Sequence, residues 1–511
     1  MHQLFRTKSL DDLVAETQKE GRQLKKTLGP VNLIALGIGA IIGAGIFATI
    51  GTAAAGDAHR LGAGPALIVS FFLTAVVCGF TALCYAEFAS MVPVAGSAYT
   101  YSYATLGELV AWIIGWDLIL EYAIGNVAVA ISWANYFNTL LDGLGIHLPA
   151  WLTIDYRTAH QKVPSVIAHA PHLFGIPIVF NILAFSIVAF ITVILVWGVK
   201  ESARFNVVMV AIKLVVLGFF VFVSFHFVKP ANWKPFAPNG FAGISTGAAI
   251  IFFAYIGFDA VSTTAEECRN PKRDMPIGII GSLIICTFVY VAIAAVFTGM
   301  VPFAVLKHLN SSQQAEPLTM AMKYVSMPNW MVGVVALGSV IAHTAVLLVF
   351  QLGQPRILFA MARDGFLPQS FAKVHPKFRT PHVATILTGV LVGLAAAVAN
   401  IDEMVDLTNI GTLFAFILVC LGIMVLRFKD PKRERPFRVP LGPVLLPSLG
   451  LLACVYLIFY LPPSSWMRFF LWLLVGLTIY FLYGYRHSKL RGGPRPGSFN
   501  PAADLPPSEL K

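Results

Sequence analysis

Charged residues are scarce in this sequence: Asp, Glu, Lys and Arg make up only 12% of its 511 residues, which is roughly half the share in a soluble domain. Hydrophobic residues make up 57%, and this balance predicts a protein embedded in a lipid bilayer. The formal net charge is +11, but the basic residues fall in the short segments between apolar runs. That distribution indicates loops facing anionic lipid and argues against a nucleic-acid partner.

Three further features are missing. The six cysteines lie in apolar runs or on the predicted cytosolic side, where disulfides are rare, so we expect free thiols. No Cys or His residues have the paired spacing of metal ligands, so we expect neither a metal site nor a cofactor. No apolar core of the signal-peptide type precedes the first long apolar run, so residues 1–30 are expected to form a cytosolic tail.

The sequence also argues against an enzyme. An enzyme acting inside the bilayer needs a nucleophile beside a base, or a metal cluster. The histidines lie mostly in predicted loops and tails. His343 is the mid-span exception, and we expect it to have a packing role in the eighth span and no catalytic role.

Twelve apolar runs approach or exceed the twenty or so residues that a helix needs to cross the hydrocarbon core. They cover approximately residues 31–55, 66–91, 106–141, 177–199, 206–228, 241–264, 276–301, 330–360, 382–399, 404–426, 445–460 and 466–485. The sequence therefore predicts an all-α polytopic membrane protein with twelve transmembrane helices.

The basic residues predict the orientation of these helices. If the N-terminus is cytosolic, 27 Lys and Arg residues lie in or near the cytosolic segments and eight in or near the opposite segments, while Lys213 lies in the middle of a span. This asymmetry favours cytosolic termini at both ends in a plasma or inner membrane. The two longest outward loops, 142–175 and 302–329, are expected to contain short surface helices, and the Pro/Gly-rich C-terminal tail is expected to be disordered.

The first span contains a glycine-rich stretch. Residues 37–47 read GIGAIIGAGIF, with four glycines from Gly37 to Gly45. Several glycines in succession make local unwinding of a helix cheap. Close packing of neighbouring helices through small residues is the alternative explanation, and the first span alone does not decide between them.

The sixth span favours unwinding. Residues 252–267 read FFAYIGFDAVSTTAEE, which places Gly257 and Asp259 in mid-membrane. Two disrupted helices in corresponding positions of two halves indicate a central site in an inverted-repeat transporter, although no residue-level repeat is visible between the halves. Free N–H groups at a helix restart attract a carboxylate, and free carbonyls at a helix end attract an ammonium group. The pattern therefore favours a zwitterionic amino acid as substrate.

Residues 257–279 read GFDAVSTTAEECRNPKRDMPIGI, and together with the first span they closely resemble the amino acid, polyamine and organocation transporter superfamily. Residues 107–125, GELVAWIIGWDLILEYAIG, and 407–427, LTNIGTLFAFILVCLGIMVLR, add two further matches. Within the superfamily, the chain looks most like the cationic amino acid transporter branch and its bacterial amino acid permease relatives.

This resemblance implies the leucine-transporter fold, a five-plus-five inverted repeat followed by two added helices. It divides the chain into a tail (1–30), a ten-helix transport core (31–427), two additional helices (443–487) and a cytosolic tail (488–511). The residues implied at the substrate site are Ile41, Ile42, Gly43, Ala44 and Gly45 for the carboxylate, Phe253, Ala254 and Ile256 for the ammonium group, and Phe350 for the side chain. The ring of Phe253 is also expected to close over the substrate as a gate.

Lys213 stands in the middle of the fifth span, where a charged residue costs at least ~2.5 kcal/mol on insertion scales. The resemblance to proton-coupled members implies that its ammonium group replaces a sodium ion and bridges the first and eighth helices. Burial favours the neutral form of a lysine, so we expect protons, and not sodium, as the coupling ion. A lysine that only holds helices together through carbonyl contacts is the alternative.

Glu121 and Asp259 are the two acidic residues predicted to support the site. Asp117 and Glu121 are four residues apart on the third span and share a face, with Glu121 the deeper. Glu121 and Asp259 could contact the site, and a helix-packing hydrogen bond is an equal alternative for Glu121.

The implied pocket is apolar and small, which favours neutral amino acids such as alanine. Cationic amino acids are the alternative, since Asp259 or Glu121 could turn toward the pocket. An exchanger, a facilitated channel or an amino acid sensor would use the same site differently. The expected partners are the amino acid and the lipid bilayer, and whether a small membrane protein also binds stays open.

Overall fold

The structure is a computed structural model, and it describes residues 4–8, 26–57, 60–92, 97–198, 203–308, 316–378 and 380–489. Most of the predicted N-terminal tail and nearly all of the predicted disordered C-terminal tail lie outside these residues.

The helices of the first half follow one another with short connections. They are α1 (Pro30–Ile41), α2 (Ile50–Ala55), α3 (Leu67–Met91), α4 (Ser97–Thr105), α5 (Glu108–Gly143), α6 (Tyr156–Lys162), α7 (Pro164–His169), α8 (Ile182–Trp197), α9 (Ala203–Phe225) and α10 (Gly240–Ile251). Strands β1 (His172–Leu173) and β2 (Ile176–Pro177) form a small antiparallel pair between α7 and α8.

The second half has the same character. Its helices are α11 (Pro271–Met300), α12 (Phe303–Leu306), α13 (Pro317–Tyr324), α14 (Asn329–Arg363), α15 (His382–Val398), α16 (Ile401–Lys429), α17 (Leu445–Phe459), α18 (Pro463–Ile479) and α19 (Tyr485–His487). The expected short helices of the two long loops are present as α6 and α7 in the first loop, and α12 and α13 in the second.

Nine helical segments of the described chain are long and apolar enough to cross a membrane. They are Pro30–Ala55, Gly64–Met91, Glu108–Gly143, Asn206–Phe225, Gly240–Glu267, Pro271–Met300, Asn329–Arg363, Ile401–Lys429 and Pro463–His487. Three shorter apolar helices, α8, α15 and α17, coincide with the remaining predicted spans. The all-α polytopic class is therefore confirmed.

Several helices begin earlier than the apolar pattern predicts. The seventh span was expected from residue 276 but α11 begins at Pro271, and the tenth was expected from residue 404 but α16 begins at Ile401. Polar residues can form a first turn outside the lipid, and at α16 the Asn400 side chain accepts hydrogen bonds from the N–H groups of Asp402 and Glu403. Hydropathy alone misses such capped turns.

The first and sixth spans occupy the centre of the molecule. In each, 89% of the most apolar stretch is buried, against 33% for Asn206–Phe225 and 22% for Pro463–His487. The first and sixth spans are therefore enclosed by the other helices and shielded from lipid.

Candidate substrate-binding site

The first span is interrupted at residues 42–43, which we call the first break. Helix α1 ends at Ile41, and Ile42 has an extended backbone with φ −76° and ψ 103°. The helix resumes at Ala44 and forms a wide turn of π-helix, Gly45–Thr49, which continues into α2. The glycine-rich stretch therefore unwinds where the sequence predicted it.

The sixth span is interrupted at residues 256–258, which we call the second break. Helix α10 tightens into a 3₁₀ turn at Phe252–Tyr255, and Ile256 is extended with φ −60° and ψ 136°. Gly257 has φ +120°, and a Cβ atom there would lie 2.8 Å from the carbonyl carbon of Ala40. Only glycine fits this position, since an L side chain would be strained and would collide with α1.

The two broken helices touch each other. A Cβ atom on Gly45 would lie 2.1 Å from the Cα atom of Ala254, so the absence of a side chain permits the approach. The hydroxyl of Tyr290, on α11, lies 3.1 Å from the carbonyl oxygen of Ile41 and 2.9 Å from that of Ala254. Tyr290 thus connects the ends of both interrupted helices.

The structure brings most of the predicted substrate residues together. All of them are buried, and Ile41, Gly45 and Ala254 meet through the contacts just described. Ile42 and Gly43 form the first break and Ala44 begins the resumed helix, while Phe253 precedes the second break and Ile256 is its first residue. At Gly43 a Cβ atom would lie 2.8 Å from Val346, so α14 covers the first break.

Phe350 lies one helical turn beyond Val346 on α14. Its ring centroid is 5.4 Å from that of Tyr122, on α5, and a Cβ atom on Gly125 would come within 3.0 Å of the Phe350 ring. In this arrangement the Phe350 ring packs against α5, at the side of the first break.

Lys213 is fully buried on α9, and its ammonium group meets the end of α1. Its Nζ atom donates hydrogen bonds to the carbonyl oxygens of Gly39 at 2.7 Å and Ile42 at 3.0 Å. Both acceptors belong to the first span. A hydrogen bond to α14, the predicted second bridge, is absent among the described residues.

Three carboxyl groups lie near one another beside the second break. Asp117, Glu121 and Asp259 are at most 3% exposed, and Glu121 interacts electrostatically with the other two. Within the described residues, the carboxyl oxygens of Asp117 and Asp259 make no hydrogen bond. A buried carboxylate that lacks a hydrogen-bond partner is energetically costly.

Sequence reasoning missed three side chains that hold the broken helices. They are Tyr290; Asn409 on α16, whose amide donates to the carbonyls of Ala249 and Ile250 at 2.8 and 3.2 Å; and Tyr136 on α5, whose hydroxyl donates to the carbonyl of Phe47 at 2.5 Å. Polar side chains in apolar spans were a signal, but the sequence does not reveal which backbone group each one reaches.

Comparison with known proteins agrees with this architecture. Residues 28–482 match the amino acid permease family. The chain is 47% identical over 487 residues to the branched-chain amino acid permease BcaP of Bacillus subtilis (strain 168), covering 95% of this chain and 99% of that protein.

Two further relatives are named for other substrates. The methylthioribose transporter of the same organism is 44% identical over 490 residues, covering 96% of this chain and 100% of that protein. The vacuolar cationic amino acid transporter 4 of Arabidopsis thaliana is 36% identical over 437 residues, covering 84% and 68%. The resemblance to the amino acid, polyamine and organocation superfamily is thereby confirmed: the chain belongs to the amino acid permease family of membrane transporters, which are not enzymes.

Proposed function

We propose that this permease imports small neutral L-amino acids together with protons, by alternating access to a site at the two breaks. The observation that carries the proposal is the contact between two interrupted helices, at Gly45 and Ala254, in the centre of the molecule. An interrupted helix presents backbone N–H and C=O groups that lack partners within the helix.

The substrate backbone is matched to these groups by charge. The restart after the first break offers the N–H groups of residues 43–45 and the positive end of a helix dipole to the α-carboxylate. The predicted contribution of the Ile41 and Ile42 N–H groups does not hold, since Ile41 ends α1 and the N–H of Ile42 donates to the carbonyl of Ile38. The end of α10 offers the carbonyls of Phe253, Ala254 and Ile256 to the α-ammonium group, and the Phe253 ring covers the bound molecule. Tyr290 holds the two helix ends together, since its hydroxyl contacts a carbonyl oxygen of each.

The side chain of the substrate would lie against Ile42, Ala44 and Phe350. These residues are apolar, which favours neutral side chains, and the similarity to the Bacillus subtilis branched-chain amino acid permease supports the same choice. The three buried carboxyl groups support the alternative, a cationic amino acid, as does the similarity to the cationic amino acid transporters of Arabidopsis thaliana. A substrate screen separates the two because only a cationic side chain gains from Asp259 and Glu121.

Lys213 supports proton coupling. Its ammonium group occupies the space between carbonyls of Gly39 and Ile42 that a sodium ion would otherwise fill. Loss of the proton would weaken both contacts and free the end of α1 to move. Protons, with no sodium, are therefore the proposed coupling ion, with Glu121 and Asp259 as supporting groups.

The proposed architecture completes this scheme. The breaks belong to the first and sixth of the twelve predicted spans, which supports a five-plus-five inverted repeat with α17 and the Pro463–His487 segment as the proposed added pair. The distribution of 27 against eight basic residues supports cytosolic termini in the cell membrane.

The experiment is a thermal-shift screen of the purified protein against the twenty amino acids, followed by uptake in proteoliposomes with and without an inward proton gradient. We expect neutral amino acids to raise the melting temperature and to accumulate only with the gradient. Binding without concentrative uptake would identify a sensor or facilitated channel, and uptake that requires internal amino acid would identify an exchanger.

A further inference from the structure

Three hydroxyl side chains form a row along one face of α5. Ser132, Tyr136 and Thr139 are four and three residues apart, which places them on successive turns of the same face. We call this row the hydroxyl ladder. Each of its members makes a hydrogen bond to a different segment of the chain.

The lower two members hold helices that flank the site. Ser132 Oγ lies 2.7 Å from Nε2 of His343 on α14, and Nδ1 of His343 lies 2.6 Å from the carbonyl oxygen of Ser339. Since a carbonyl only accepts, Nδ1 carries the proton and Nε2 accepts from Ser132. Tyr136 donates to the carbonyl of Phe47, which belongs to the π-helical turn after the first break.

The top member holds a surface helix. Thr139 donates a short hydrogen bond to Oε2 of Glu316, which precedes α13, and Thr319 Oγ1 lies 3.1 Å from the same oxygen. Helix α13 packs on the π-helical turn, on α11 and on α14, so it covers this side of the first break. Glu316 is half-buried and has no basic side chain within ion-pair distance among the described residues.

The charged and titratable groups that act on Glu316 are few. Lys323 lies on its own helix, and Asp142 and Tyr136 lie on α5. The π-helical turn with α2 (45–55) carries no acidic or basic residue, and the parts of α11 and α14 facing this side carry none before Tyr290 and His343. The Glu316 carboxyl group is therefore the main charged group where α13 covers the first break; we call α13 together with Glu316 the cap.

We propose that Glu316 is a proton-binding site on the outer face, where a proton from the external solution closes α13 over the substrate pathway. The inference rests on the proposed function for its orientation, and it adds a control of the outer face by external pH. Protonation at this site favours the closed state and is separate from the coupling proposed at Lys213.

The direction follows from linkage. Burial raises the pKa of Glu316 to about 7 in the closed structure, against the opposing effects of the Thr139 hydroxyl and the Lys323 charge. Exposure to water on opening would return the pKa to about 4.3. Because the pKa of Glu316 is higher in the closed state than in the open state, protonation stabilises the closed state. This stabilisation is complete below the open-state pKa of about 4.3 and is lost as the pH rises through the closed-state pKa of about 7. The closed-to-open ratio should fall about tenfold between about pH 6 and about pH 8.

The test measures exposure beneath the cap in proteoliposomes. A membrane-impermeant maleimide labels Met320→Cys, on α13 and 7% exposed, and its rate is divided by that of Leu144→Cys, which is 76% exposed. The division removes the pH dependence of the thiol reaction itself, and the six native cysteines are buried. We expect the ratio to rise about tenfold from about pH 6 to about pH 8, and to stay low at both values when Glu316→Gln is added.

Two variants of neighbouring charges make the test directional. Lys323→Gln removes a nearby positive charge and should move the midpoint to higher pH, whereas Asp142→Asn removes a negative charge and should move it to lower pH. A ratio that does not depend on pH, or a full rise in the Glu316→Gln background, would overturn the proposal. The labelling reaction does not depend on transport. The pH dependence of labelling can therefore be measured even if the proposed amino acid uptake is not observed.

Discussion

In the proposed mechanism, Lys213 is the residue that connects local contacts with transport. Its side chain is fully buried on α9, and its Nζ atom bonds to two carbonyls at the end of α1. A buried charge is tolerated only with such partners. Because Gly39 lies in the last turn of α1 and Ile42 lies in the first break, loss of the proton in the proposed mechanism would act directly on the geometry of that break.

Lys213→Ala should abolish the effect of a proton gradient on uptake. Without the ammonium group the first break has no proton-dependent contact, so the initial rate at acidic external pH should fall to the rate at neutral pH. The measurement is uptake of the best thermal-shift hit in proteoliposomes at both pH values. Lys229→Ala is the control, since Lys229 is exposed just beyond the same helix. Full pH-driven uptake in Lys213→Ala would remove lysine from the coupling.

Tyr290 offers a test of a residue that sequence reasoning missed. Tyr290→Phe removes one hydroxyl that contacts both interrupted helices, and the loss of such a bond costs about 1 kcal/mol or more. We expect substrate affinity to fall about fivefold to tenfold with little change in folding.

The control for Tyr290→Phe is Tyr456→Phe. The Tyr456 hydroxyl contacts Ser245 at the edge of the core, away from both breaks. Calorimetric titration of both variants with the same amino acid checks the prediction, and equal affinities would mean that Tyr290 does not organise the site.

At the scale of elements, the two broken helices depend on close backbone contact. Gly45 has no space for a methyl group, since a Cβ atom would lie 2.1 Å from Ala254. Asn409 and Lys213 then stabilise the ends of α10 and α1 from outside. The site is therefore a junction between two helix ends and is not a cavity within one element.

Gly45→Ala should separate these ends. Overpacking of this kind costs about 1–3 kcal/mol, and the backbone atoms of Ala254 cannot yield as a flexible side chain would. We expect a lower melting temperature and loss of the thermal shift by substrate.

Gly218→Ala is the matched control for this variant. Gly218 lies within α9, and a Cβ atom there would meet nothing within 4 Å. If Gly45→Ala kept the stability and the substrate response of Gly218→Ala, the close junction would not be needed for binding.

At the scale of the whole molecule, the sequence predicted most of the architecture because lipid imposes strong constraints. Apolar length located the nine membrane-long segments and the three shorter apolar helices of the described residues, and the glycines near Gly43 and Gly257 located both interruptions. The starts of α11 and α16 were placed too late, since their polar first turns carry no apolar signal.

The contacts between helices were less accessible to sequence reasoning. Tyr136, Tyr290 and Asn409 reach backbone carbonyls on distant segments, and no local pattern encodes which helix faces which. Lys213 was identified because a charge in mid-span is rare. Its two acceptors, by contrast, became known only from the packing of α9 against α1.

The central claim is that two interrupted helices together bind both charged groups of one amino acid. Calorimetric binding of the best amino acid should be compared with that of two analogues, one lacking the α-carboxylate and one lacking the α-ammonium group. The account predicts that the amino acid binds and that each analogue loses nearly all affinity, because each leaves one helix end without its partner. Binding of either analogue as tight as that of the amino acid would contradict it.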